Sequence, residues 1–143
     1  MSTEFYAQLP DGSRLTETAF IQGLPDPLRF ELVKTYTVVA CEWRWKAFGS
    51  RPWTPEDGPL PEDGPEEDVE VHGYRIHGAE GDVLWAFFWR KQEWEEGQLQ
   101  RFERFGGNKV VTILETLAKG FELSIRDEIG FNLGEEVFNE VNG

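Results

Sequence analysis

Seven consecutive residues, Val83–Trp89, are apolar, and five of them are aromatic or β-branched. Gly81 stands before the run and charged residues follow it. A run that short and that apolar predicts a strand covered on both faces, the middle strand of a sheet. A second strand signal lies in Tyr36–Phe48. Thr37, Val39, Cys41, Trp43 and Trp45 fall on one face, and Val38, Ala40, Glu42, Arg44 and Lys46 on the other. Val69–His77 alternates in the same way. Gly78–Asp82 then has the composition of a hairpin connection, so Val69–His77 and Val83–Arg90 are expected to pair antiparallel.

Thr3–Leu9 reads as a short strand, followed by a Pro10–Ser13 turn of the kind that closes hairpins. Arg14–Ile21 is either the return strand or a short helix, because Leu15 and Phe20 do not settle the period. Asp26 and Pro27 form a helix entry, with Leu28, Leu32 and Val33 sharing a face to about Lys34. Gln98–Phe105 is ambiguous: Leu99, Phe102 and Phe105 are spaced by three, but the segment is short. Asn108–Lys119 is the clearest helix. It has Asn108 as cap, a stripe of Val110, Val111, Ile113, Leu114, Leu117 and Ala118, and Gly120 as C-terminal stop. Phe121–Arg126 alternates as a strand. Asp127–Gly143 is expected to hold a further strand and a terminal helix. The sum is an α+β fold, an antiparallel sheet of about five or six strands with two or three helices packed mainly on one face.

Ser50–Asp68 differs in kind. It carries five of the eight prolines and repeats PEDGP at Pro55–Pro59 and Pro61–Pro65. Proline blocks both helix and sheet ladders, and adjacent acids repel. The segment is expected to be an extended, mobile surface loop on a single domain of 143 residues. Residues 51–78 hold two arginines against eight acids, a net of −6 within a total of −13.

That charge argues against direct contact with nucleic acid or an anionic membrane, and for fast, salt-sensitive association with a basic partner. Cys41 is the one cysteine, so no internal disulfide forms, and its apolar strand setting makes it a buried hydrophobe rather than a nucleophile. No apolar run reaches membrane-spanning length, and the N-terminus lacks the pattern of a secretory signal. The chain is read as cytoplasmic.

No GxSxG, HExxH, Walker-type or GxGxxG motif occurs, and no EF-hand order appears among the acidic runs. His72 and His77 fall on opposite faces of their strand. Glu70, His72 and Tyr74 share one face and form a general-base or two-ligand grouping, which is short of the three or four donors a zinc site takes. No catalytic residue, metal ligand or cofactor is expected. Aromatic anchors ringed by acids are the composition of a hot spot for a basic protein. The contact set is therefore Trp53, Glu56, Asp57, Glu62, Asp63, Glu66, Glu67 and Asp68 in the acidic segment, with Trp94, Glu95 and Glu96 in a following turn. The expected function is neutralisation of a basic, toxin- or nuclease-like partner by covering its working surface, as immunity proteins and phage-encoded inhibitors do. The alternative is an α+β module holding a small molecule in an aromatic pocket between helix and sheet.

Overall fold

The computed structural model describes residues 2–41, 66–127 and 132–133, of which 2, 40, 41, 66, 67, 132 and 133 are described by their backbone alone. The elements run β1 (Ser2–Gln8), α1 (Glu17–Gly23), β2 (Arg29–Cys41), β3 (Glu66–His77), β4 (Val83–Arg90), β5 (Gln98–Phe105), α2 (Val111–Phe121), β6 (Ser124–Asp127) and β7 (Asn132–Leu133). The seven strands form one sheet in the order β2-β3-β4-β5-β1-β6-β7, and every pairing is antiparallel. The protein is thus α+β with two helices among the described residues. β7 has only two residues, which leaves six strands of four residues or more.

Register explains the core. Opposed residues on neighbouring antiparallel strands share a face. Ile76 lies opposite Leu84 and Tyr74 opposite Ala86; Ala86 lies opposite Phe102, which in turn lies opposite Phe5. Ala7 lies opposite Ile125. All of these are buried in one cluster, which also takes in Phe20 of α1 and Ile113, Leu114 and Leu117 of α2. Phe20 is its hub. Its ring centroid lies 5.0 Å from Phe88, 5.3 Å from Tyr74 and 5.5 Å from Phe30.

The opposite parity of β4 is also covered. Phe87 is buried, and Trp85 stacks on it at 5.7 Å between centroids with planes 10° apart. The Lys34 ammonium lies over Tyr36, Trp85 and Phe87, the Arg75 guanidinium over Trp85, and Arg101 over Phe87. Gly73 clears the path for Lys34 across β3. A Cβ there would stand 3.3 Å from both Lys34 Cγ and a Phe87 ring carbon.

Several sequence expectations change. β4 is an interior strand, but β5 is the fourth of seven. The helix read over Pro27–Lys34 is instead the start of β2. Only Leu28 of its three apolar residues is buried, whereas Phe30 as a strand residue reaches Phe20 and Tyr74. Arg14–Ile21 resolves as helix from Glu17, capped by the Thr16 hydroxyl, which accepts from the Ala19 N–H at 3.2 Å. Pro10–Ser13 does turn the chain, with Leu9 N–H donating to Ser13 O at 2.9 Å, but β1 pairs with β5 and β6 instead of a local return strand. Gln98–Phe105 is a strand.

Asn108 does not cap α2; its amide donates to Phe105 O, and Val110 holds the cap position. Gly120 lies within the helix, and the left-handed terminal residue is Glu122, at φ 58°. The acidic segment read as loop to Asp68 gives way to β3 at Glu66. There Cys41, Ala40 and Val39 pair with Glu66, Glu67 and Asp68. Ladder pairing with β2 outweighs local repulsion at that point. Glu42–Phe48 and the tail beyond Leu133 lie outside the described residues.

Candidate functional site: a carboxylate-rich sheet end

β3 begins at Glu66, and β4 ends at Arg90 opposite Glu70. The chain then turns through Lys91–Gly97 before β5. Topology therefore sets the start of β3 and the β4–β5 turn at the same end of the sheet. Asp68, Glu70, Arg90, Lys91 and Gln92, with Thr37 of β2, line one open cavity of about 380 Å³ there. The N-terminus of α1 docks at this end as well. Glu17 N–H donates to Gly97 O at 2.8 Å, and Thr18 N–H donates to the Glu96 carboxylate at 2.8 Å. An acid at that position meets the unpaired N–H groups and the positive end of the helix. Hydrogen bonds from the Thr18 hydroxyl and backbone hold the Glu96 carboxyl below its ordinary pKa.

Glu17 is the residue that sequence reasoning missed. Its carboxylate accepts from Tyr74 and meets His72 Nδ1 at 2.8 Å, and His72 Nε2 contacts Glu70. Glu70, His72 and Tyr74 do share a face, as alternation implied, but Glu17 is what joins them. The four form a chain from the buried Tyr74 ring to the half-exposed Glu70 carboxylate. The Glu17 and His72 side chains are 13% and 19% exposed. Gly97 makes the approach possible, because a Cβ there would lie 2.6 Å from Glu17 Oε1. The local signal for Glu17 was Thr16 followed by an acid, an N-cap and first-turn pair. Its partners are 55 and more residues away and leave no mark in the local pattern.

The electrostatics are coherent. Burial works against a charged His72, but hydrogen bonds and attraction from Glu17 and Glu70 outweigh it, and its pKa stands above the ordinary value. The hydrogen bond from His72 holds Glu70 below the usual carboxylate range. Burial, then Glu17, push the Tyr74 phenol up. No group of three or more metal-ligating side chains converges among the described residues. Geometry gives the reason: the two His72 nitrogens point to different carboxylates, so the acids and the imidazole do not aim at one point.

Of the expected contact residues, Trp53, Glu56, Asp57, Glu62 and Asp63 lie outside the described residues. Glu66 and Glu67 begin β3, and Asp68 is exposed beside them. Glu95 is exposed in the turn. Trp94 is half-buried, and the buried Lys91 carries its ammonium 5.6 Å from the Trp94 ring centroid. Asp68 and Trp94–Glu96 are thus gathered at one end, with Glu96 engaged on α1. No helix among the described residues is long and apolar enough to cross a membrane. Comparison with protein-family models, curated proteins and solved structures finds no match.

Proposed function

We propose that this protein is a non-enzymatic binding protein whose acidic sheet end docks a basic protein partner and covers that partner's working surface. The observation that carries the reading is the convergence of two acidic stretches far apart in sequence. Glu66–Glu70 and Glu93–Glu96 stand at the same end of the sheet. Carboxylates on a fixed frame steer a cationic partner and hold it in register without losing loop entropy on binding. Trp53 and the acids from Glu56 to Asp63 belong to the chain between β2 and β3, whose paired ends, Cys41 and Glu66, meet at this same end. Both helices are taken to cover the sheet face opposite the Lys34–Trp85 layer, since Phe20 and the buried side of α2 share one core. The cell compartment proposed is the cytoplasm.

The test is affinity capture from native lysate, with the wild type beside an Asp68→Lys/Glu95→Lys variant at low and high salt. The proposal expects one basic protein retained by the wild type at low salt and lost with the variant. Equal capture by both would remove the acidic end from the contact.

The alternative, a small-molecule module, has one observation in its favour. A cavity of about 590 Å³ lies between the α1 entry and the end of α2, lined by Leu9, Leu15, Ala19 and Phe121 around Arg14. Burial lowers the Arg14 pKa to about 10, so an anionic group there would meet a poorly hydrated cation. A thermal-shift screen of small carboxylates separates the readings, because a ligand that binds only the native state raises Tm.

A further inference from the structure

β2 is the edge of the sheet, and among the described residues its outer side pairs with no strand. It is 13 residues long. Its side chains are open to solvent: Leu32 is 52% exposed, Tyr36 37% and Val39 64%. Edges of this kind normally carry protection, such as short length, proline, a bulge or an outward charge, because their free N–H and C=O groups will otherwise pair with another strand.

β2 has a bulge between Leu32 and Lys34 and one lysine near its middle. The lysine does not guard the edge. Its ammonium is drawn back over the Tyr36, Trp85 and Phe87 rings, at 5.1, 5.6 and 5.7 Å from their centroids. Beyond the bulge, Thr35–Val39 contains no charge, no proline and no glycine, only residues that favour strands. Among the described residues, that half of β2 is an unguarded edge.

We infer that this edge pairs antiparallel with β2 of a second copy of the chain, joining two sheets across a two-fold axis. Charge selects the occupant and the direction. Asp68 lies opposite Val39 near one end of β2, and Arg29 begins the other end, opposite His77, while Arg75 lies opposite Glu31 and pairs with it. Antiparallel pairing turns each copy's Asp68 end toward the other copy's Arg29 end. Parallel pairing would set acidic end on acidic end in a chain of net charge −13. The segment is also self-complementary. With the axis at Tyr36, Thr35 of one copy faces Thr37 of the other and Lys34 faces Val38, so no like charges oppose.

The test is the mass of the full chain by light scattering from micromolar to millimolar concentration, with two variants. Thr35→Lys/Thr37→Lys sets lysine against lysine across the axis, and Thr35→Glu/Thr37→Glu sets acid against acid. Both positions are exposed. The wild type is expected to rise from 16.5 kDa to twice that mass. Each variant alone should dimerise at least tenfold more weakly, and the equimolar mixture of the two should recover the dimer. A wild type that stays at the monomer mass throughout overturns the inference. So do variants that dimerise as well as the wild type, or a mixture that remains monomeric while both variants melt cooperatively.

Discussion

His72 Nδ1 stands 2.8 Å from Glu17 Oε2 and fastens the first turn of α1 to β3. Glu17 is the first residue of α1, and His72 is near the middle of β3. The contact therefore ties helix docking to the charge state of one imidazole. Around His72 stand Glu17 of α1, Glu70 and Tyr74 of β3, and Thr35 opposite it on β2; Arg90 acts at longer range on Glu70.

The pKa of His72 is raised in the folded state above its ordinary 6.5. A raised histidine pKa contributes stability that is fully present below the unfolded value and is lost as pH rises through the folded value. Wild type should therefore lose stability relative to His72→Gln as pH increases from about 6.5 upward. Urea unfolding of both proteins at a series of pH values measures this. A constant difference across that window would show that His72 does not titrate against Glu17 and Glu70.

Glu17→Gln should be destabilising at about pH 6, because a charge-assisted acceptor shared by two side chains is lost. Hydrogen bonds to charged groups contribute about 1.5–3 kcal/mol each, and retained neutral hydrogen bonding will offset part of that. The same urea curves give the value. An unchanged midpoint would mean that α1 is held by Phe20 alone.

Phe20→Ala should cost about 3–5 kcal/mol, the range for removing a ring from a closed core. Phe20 is fully buried and contacts rings from β2, β3 and β4. Its neighbour Ile21 is 43% exposed, and Ile21→Ala should fall within about 0.5 kcal/mol of wild type. Similar losses at the two positions would contradict the placement of the α1 face.

Glu122→Gly should raise stability by about 1 kcal/mol, since a left-handed conformation costs an L residue about that much and glycine very little. Glu122 is exposed, sits at φ 58°, and its backbone N–H donates to Ala118 O to close α2. Thermal melting reads the change; a lower Tm would mean that the carboxylate, not the backbone, terminates the helix.

Strand residues were legible wherever burial alternated. The β3–β4 hairpin follows from the period-two pattern of Val69–His77 and the Gly78–Asp82 composition, and β4 from its unbroken apolar run. α2 followed from its apolar stripe, although its ends did not. Asn108 bonds backwards to Phe105, and a left-handed glutamate stands where glycine was expected. The start of β2 was misread because Leu28, Leu32 and Val33 fit a helix face locally, while the deciding contact is Phe30 against rings from α1 and β3. The candidate site was half legible. Glu70, His72 and Tyr74 could be set on one face by counting, but Glu17 joins them through tertiary contacts. The meeting of Asp68 with the β4–β5 turn follows from the β3–β4 hairpin, but the docking of α1 at that end rests on long-range contacts that no local pattern encodes.

The central claim is that the acidic sheet end docks a basic protein. Its most direct measurement is the association rate of the captured partner as a function of ionic strength, for wild type and for Asp68→Lys/Glu95→Lys. Steered association should slow by about tenfold or more as salt is raised, and the variant should start slow and vary little. A wild-type rate indifferent to salt, or a variant that associates as fast as wild type, would contradict the claim.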